Sequence, residues 1–263
     1  MPPSPRSPIP AALSLGLGVY AVLSLISVAL IPLGLFSGLP LIRMAPTVLL
    51  AYLALRSTRN TFGATIAWGL LLGAAGDYFL NTFDPDQAPF GVLAFFAGHI
   101  AYIAGMRRAG WQPTRARWRG VAALVAFGLV YGAVILWFNP TQPLRRIAWL
   151  MLDPSPQMLP VAPALLAYMP LLIGMASVAL LRRGSRMVTA GALVFVASDA
   201  LIPLNQFLLP KAHPGDPWAS TALLYPGFIT YYLAQYLIAR GAMTEELQPP
   251  ANAVEAQQRI AVT

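Results

Sequence analysis

Long apolar runs alternate with short polar stretches along most of this chain of 263 residues. Each run has about 17–23 residues, the length that a helix needs to cross the hydrocarbon core of a bilayer. The pattern therefore predicts an all-α, polytopic membrane helix bundle. The eight predicted spans lie near residues 11–33, 40–55, 62–82, 89–106, 120–138, 160–181, 187–209 and 219–239. Because Arg43 and Pro46 interrupt the second run, we expect that helix to be short, tilted or kinked.

The composition excludes a soluble fold. Hydrophobic residues make up 57% of the chain and charged residues only 10%, whereas soluble domains carry about 25% charged residues. The net charge is +8, but the basic residues lie in short clusters between apolar runs and not along one face with stacking aromatics. We therefore expect a lipid bilayer, and no nucleic acid, as partner. The absence of cysteine excludes disulfides, thiolate nucleophiles and Cys-ligated metals.

The distribution of positive charge predicts the topology. Of the 17 Lys and Arg residues, 13 fall on the side of the N-terminus, and only Arg43, Arg145, Arg146 and Lys211 fall on the other. The positive-inside rule then places both termini in the cytoplasm, as in a multi-pass protein of a bacterial inner membrane. We expect one membrane domain over residues 11–242. The proline-rich residues 1–10 and the polar residues 243–263 are expected to be disordered.

Two aspartates lie inside apolar spans. Asp77 occurs in GLLLGAAGDYFL and Asp199 in GALVFVASDALIPLNQF. Each costs roughly 2.5–3.5 kcal/mol on an insertion scale, so an intramembrane acid indicates a functional site by default. A structural carboxylate that accepts hydrogen bonds between helices is the alternative.

The two acids have similar surroundings in the sequence. Gly69 precedes Asp77 by eight residues and Gly191 precedes Asp199 by eight, an offset of 122. This pattern supports the hypothesis of a parallel repeat of four plus four helices, which would bring both acids to a similar depth on facing helices.

Further polar residues share helix faces with or near the acids. They supply one histidine, three amides, two tyrosines and one serine. Each has a structural alternative as a packing residue or an interhelical hydrogen-bonding group. We select as supporting or substrate-binding candidates Asn81, His99, Tyr102, Ser198, Asn205, Tyr231 and Gln235.

This set of residues favours acid–base chemistry. The chain has no nucleophile elbow, glycine-rich phosphate loop or metal-ligand spacing, so we expect no cofactor and no metal. A metal held by Asp77, Asp199 and His99 is a weaker alternative. Two carboxyl groups close together in a low dielectric repel each other when both are ionised, so one is expected to keep its proton. Such a pair can act as acid and base.

At these positions the chain resembles the YhhN family of eight-helix membrane proteins, over about residues 40–242. The shared motifs are a small residue before GD at the end of the third helix, His-x-x-Tyr on the fourth, G-x-x-x-F-x-x-S-D on the seventh, and Tyr-x-x-x-Gln on the last. The matching residues are Gly76, Asp77, Leu80, His99, Tyr102, Gly191, Phe195, Ser198, Asp199, Asn205, Phe207, Tyr231 and Gln235. The chain departs from the family at its usual Lys-Pro on the second helix, where only Arg43 and Pro46 stand, and in the long loop 139–160.

The resemblance implies a lysoplasmalogenase-like activity. Its substrate would be a 1-alkenyl lysophospholipid, whose vinyl ether is hydrolysed to a fatty aldehyde and a glycerophospho-alcohol. In that reaction one Asp would donate a proton, while the other would stabilise the cation and activate water. The sequence does not assign the two roles. A transporter or lipid-binding protein that uses the same acids for cation or proton binding is the competing function class.

Overall fold

A computed structural model describes residues 11–31, 39–58, 60–82, 87–138, 161–204 and 223–246. These segments form eight α-helices and contain no strand, which confirms the predicted helical bundle. The helices are α1 (Ala11–Ala29), α2 (Pro40–Ser57), α3 (Thr61–Leu80), α4 (Ala88–Arg107), α5 (Arg115–Phe138), α6 (Val161–Leu181), α7 (Arg186–Pro203) and α8 (Leu224–Glu246).

Local sequence signals account for several helix ends. The side chain of Asn60 accepts a hydrogen bond from the Gly63 amide at 2.8 Å and so caps α3. Ser185 caps α7 in the same way. Gly110 and Gly184 have φ angles of 79° and 123° in the loops before α5 and α7, a backbone region that glycine enters without steric cost.

The α8 helix corrects one sequence-based expectation. It continues to Glu246, so residues 243–246 of the predicted disordered tail are helical. The reason is a set of contacts made by Glu245 in the last turn of the helix. Glu245 forms a two-pronged ion pair with Arg182, with N–O distances of 2.6 and 2.8 Å, and also accepts a hydrogen bond from the Ser185 amide. The α2 helix, in turn, runs unbroken through Pro46.

The helices of the two halves follow the same packing order. In the first half α1 packs on α2, α2 on α3 and α3 on α4; in the second half α5 packs on α6, α6 on α7 and α7 on α8. Among the described helices, four contacts join the halves: α4 with α6, and α8 with each of α1, α2 and α3. The contacts of α4 with α6 and of α8 with α2 correspond when the halves are exchanged. The packing order is therefore the same within each half, and α8 makes most of the contacts between the halves.

Glycines fix the closest helix contacts in both halves. A Cβ on Gly69 of α3 would lie 2.3 Å from the Tyr102 ring and 3.1 Å from the Gly98 carbonyl oxygen on α4. A Cβ on Gly191 of α7 would lie 2.9 Å from the Ala234 carbonyl oxygen on α8. Small residues permit this close backbone approach in membrane bundles. Each of these glycines lies eight residues before an acid, so each acid lies about two turns beyond a close helix contact.

The outer surface of the bundle is apolar. Large side chains such as Leu15, Leu25, Trp68 and Leu129 are 62–71% exposed. Among the described residues, four helices are long and apolar enough to cross a membrane: Ala11–Ala29, Thr61–Leu80, Pro89–Arg107 and Arg115–Val134. An apolar exterior around a polar interior is the arrangement of an integral membrane protein.

Candidate functional site

Asp77 lies in the last turns of α3 and is only 4% exposed. Its Oδ2 atom accepts a hydrogen bond from the Tyr231 hydroxyl of α8 at 2.8 Å and a longer one from the Thr47 hydroxyl of α2 at 3.4 Å. Three helices thus converge on one carboxyl group. A buried carboxyl group requires such partners because the water that it loses on burial must be replaced.

Asp199 lies at the corresponding level of α7 and is 8% exposed. The Tyr168 hydroxyl of α6 donates a hydrogen bond to its Oδ2 atom. Both acids therefore accept a hydrogen bond from a tyrosine on a neighbouring helix. Within the described segments, the hydroxyls of Tyr231, Thr47 and Tyr168 all donate to the Oδ2 atom of their carboxyl group.

A set of edge-to-face rings connects the two acids. The His99 ring of α4 lies 5.4 Å from the Tyr168 ring and 4.8 Å from the Phe195 ring, measured between centroids. Phe195 in turn lies 5.7 Å from Tyr231. The carboxyl groups of Asp77 and Asp199 are close enough to interact electrostatically. The structure therefore brings both acids and His99 into one interior region of the bundle.

Tyr102 and Gln235 extend this region toward the middle of the bundle. The Tyr102 hydroxyl donates to Oε1 of Gln235, and Gln235 lies one helical turn after Tyr231 on α8. Because Tyr231 donates to Asp77, these polar side chains of α4 and α8 lie next to the acid on α3. Tyr102 and Gln235 are each about 1% exposed. Gly73 leaves the space that the Gln235 amide occupies.

Asn81 and Ser198 hydrogen-bond backbone carbonyls of the helices around the acids instead of the carboxyl groups. Asn81 donates to the carbonyl oxygen of Asp77 at 2.6 Å and thereby closes the end of α3. Ser198 donates to the carbonyl oxygen of Gly227 at 2.8 Å and ties α7 to α8. Asn205 lies outside the described residues. The structure therefore gives Asn81 and Ser198 a part in holding the acid-bearing helix ends.

Arg43 places a positive charge near Asp77. Its side chain is buried, with the residue 3% exposed, and its guanidinium carbon lies 4.0 Å from the centroid of the Phe228 ring. It interacts electrostatically with Asp77. The Tyr232 hydroxyl donates to the Arg43 carbonyl oxygen at 3.1 Å, which fixes this turn of α2 against α8. The residue that departs from the family motif thus lies at the site.

The sequence did not reveal Tyr168 and Thr47. Each lies near a proline in an otherwise apolar helix, Tyr168 before Pro170 and Thr47 after Pro46. A hydroxyl in such a context is equally typical of an interfacial or packing residue. The only signal in the sequence was the face of the helix on which each hydroxyl lies. That face identifies a partner only when the neighbouring helices are known. In the parts of the chain that the structure describes, no three His, Asp or Glu side chains are grouped to hold a metal ion.

Comparison with known proteins gives a consistent result. The model of the YhhN family matches residues 39–242. A lysoplasmalogenase of Mycobacterium bovis and one of Mycobacterium tuberculosis are each 30% identical to this chain over 233 residues, covering 86% of this chain and 79% of the relative. No solved structure matches the chain.

Proposed function

Because this chain belongs to the YhhN family, we propose that it is a membrane hydrolase of the lysoplasmalogenase type. Its substrate is a 1-alkenyl lysophospholipid, and its products are a fatty aldehyde and a glycerophospho-alcohol. Two lysoplasmalogenase relatives at 30% identity support the assignment. The observation that carries it is the pair of buried acids, Asp77 and Asp199, which interact with each other and each accept a tyrosine hydroxyl.

The chemistry of a vinyl ether suits this pair. Hydrolysis begins with transfer of a proton to the β-carbon, which converts the ether into an oxocarbenium ion. A buried carboxylic acid is well placed to donate that proton, and a second, ionised carboxylate stabilises the cation that forms. Exclusion of bulk water strengthens this electrostatic stabilisation. Addition of water to the cation then gives a hemiacetal, which collapses to aldehyde and alcohol.

The other polar groups have supporting roles in this proposal. Tyr231 and Thr47 orient Asp77, and Tyr168 orients Asp199. Tyr102 and Gln235 hydrogen-bond each other one helical turn from Tyr231 and support its position. The phosphate of a lysophospholipid carries negative charge. The guanidinium of Arg43 lies near Asp77 and offers that phosphate a positive partner. An amphiphilic substrate matches a polar site enclosed by apolar helices.

We also propose an orientation in a bacterial inner membrane. With 13 of 17 basic residues on one side, both termini face the cytoplasm. Both acids lie near the C-terminal ends of their helices, Asp77 on α3 and Asp199 on α7, and these ends face away from the side with most basic residues. The site then lies in the outer half of the bilayer.

Release of aldehyde by the purified protein tests the function. The protein in detergent is incubated with a 1-alkenyl lysophospholipid and, as a matched control, with the 1-alkyl lysophospholipid of the same chain and headgroup. We expect a long-chain aldehyde from the alkenyl lipid only, because a saturated ether has no double bond to protonate. No aldehyde from any alkenyl lysolipid would favour the transport or lipid-binding alternative.

A further inference from the structure

The tautomer of His99 follows from its hydrogen bond. Nδ1 lies 2.7 Å from the carbonyl oxygen of Phe95, one helical turn earlier on α4. A carbonyl oxygen only accepts, so Nδ1 must carry the proton and donate it. In the neutral ring, Nε2 is then unprotonated and presents a lone pair.

The Nε2 atom of His99 is buried and has no hydrogen-bond partner among the described residues. The residue is only 1% exposed. An unsatisfied acceptor in an apolar region is unfavourable, so its persistence calls for an explanation. The surrounding rings of Tyr168 and Phe195 meet the imidazole edge to face and hold its orientation.

The location of this acceptor relates it to both acids. Tyr168, which touches the imidazole ring, donates to Asp199. Phe195 also touches the imidazole ring, and on its other side it touches Tyr231, whose hydroxyl donates to Asp77. The imidazole ring that carries the unprotonated nitrogen therefore belongs to the set of aromatic rings that joins the surroundings of the two carboxyl groups.

We infer that His99 is the general base for the water that attacks the oxocarbenium ion. This inference rests on the proposed function and assigns the water step to His99 instead of the second carboxylate. The water oxygen forms a bond to the cationic carbon, and one water proton passes to Nε2, which gives the hemiacetal and an imidazolium. The imidazolium then returns its proton to the carboxylate that donated one to the β-carbon. No proton is gained or lost over the cycle.

Loss of this base has a signature that loss of packing does not share. If water addition becomes slow, the oxocarbenium ion has time to return a proton from its β-carbon and regenerate the vinyl ether. In D2O the acid delivers deuterium, and return of the original hydrogen leaves deuterium in the unreacted lipid. Deuterium at the vinylic β-carbon of recovered substrate therefore reports a delayed water step.

The test uses His99→Asn and His99→Gln, with Tyr102→Phe as the matched control. Asn retains a donor at the Nδ1 position for the Phe95 carbonyl, and Gln retains the reach to the Nε2 position, but neither is a base. Tyr102 packs against His99 at 6.3 Å between centroids without providing a base for water. Each purified variant is reacted in D2O to partial conversion, and the remaining lipid is analysed by mass spectrometry.

We expect both His99 variants to release aldehyde at least about 100-fold more slowly, the lower range for a general base, and to return deuterated substrate. The unmodified protein and Tyr102→Phe should return unlabelled substrate. Slow His99 variants without label in the recovered lipid, or variants with near-normal turnover, would overturn the inference while leaving the function intact. Failure of the unmodified protein to release aldehyde would instead reject the proposed function.

Discussion

At the scale of single residues, the two carboxyl groups differ in the number of hydroxyls that hold them. Asp77 accepts from both Tyr231 and Thr47, whereas Asp199 accepts from Tyr168 among the described residues. A hydrogen bond to a charged group contributes about 1.5–3 kcal/mol. The tyrosine beside Asp199 therefore has the larger share in positioning its acid.

This difference predicts unequal effects of removing the two hydroxyls. We expect Tyr168→Phe to lower the rate of aldehyde release by about tenfold or more, as one charged hydrogen bond is lost. Tyr231→Phe should cost less, because Thr47 continues to donate to Asp77. The rates of the two purified variants are compared at saturating substrate. A larger loss in Tyr231→Phe would show that the second hydroxyl does not compensate.

The sequence predicted the acids but not all of their partners. Asp77 and Asp199 were identified because a carboxyl group in an apolar run is costly and therefore informative. Tyr168 carries no comparable signal, since tyrosine is common in membrane helices. Its contact with Asp199 depends on α6 packing on α7, and that packing is not encoded in the local pattern around either residue.

At the scale of helices, Gly191 on α7 and Gly241 on α8 permit the close contact of these two helices. A Cβ at Gly191 would lie 2.8 Å from the backbone nitrogen of Ile238 and 2.9 Å from the carbonyl oxygen of Ala234. Backbone atoms cannot rotate away as a side chain can, so the two helices would have to separate. Asp199 lies two turns further along the same helix.

We therefore expect Gly191→Ala to destabilise the protein by about 1–3 kcal/mol, the usual cost of overpacking. Gly174→Ala on α6 is the matched control, because a Cβ there meets nothing within 4 Å. Thermal unfolding in detergent, followed by circular dichroism, measures both. Equal midpoints for the two variants would show that the close helix contact has been assigned incorrectly.

Hydropathy predicted the eight helices but not all of their ends. An apolar run specifies the buried length of a helix, so the described helices fall where the sequence placed them. The end of α8 extends beyond the prediction because Glu245 pairs with Arg182, a residue 63 positions away in the chain. Contacts between distant charged residues leave no periodic trace in the sequence.

At the scale of the whole molecule, the two sets of four described helices share several features. The order of helix contacts is the same in both, and a glycine lies eight residues before the acid in each. The equivalence extends to Thr47 on α2 and Tyr168 on α6, which donate to the respective acids. The parallel repeat of four plus four helices stays a prediction, and these features are the ones that it leads us to expect.

The orientation of the bundle is a separate prediction. Since 13 of the 17 basic residues lie on one side, reporter fusions at positions 113 and 250 should be active in the cytoplasm. A fusion at position 215 should be active outside it. Two reporters are used, one that is active only in the cytoplasm and one that is active only outside it. Together they locate each fusion point on one side of the membrane. The reverse pattern would place the acids toward the cytoplasm.

The most direct test of the central claim compares Asp77→Asn, Asp199→Asn and the double variant in aldehyde release from a 1-alkenyl lysophospholipid. Asn has nearly the same shape as Asp but neither donates nor accepts the proton. If the acids act as one unit, each single variant should lose at least about 100-fold in rate. The double variant should then be little worse than the slower single variant. Near-normal turnover in either single variant, or losses that multiply in the double variant, would contradict the account.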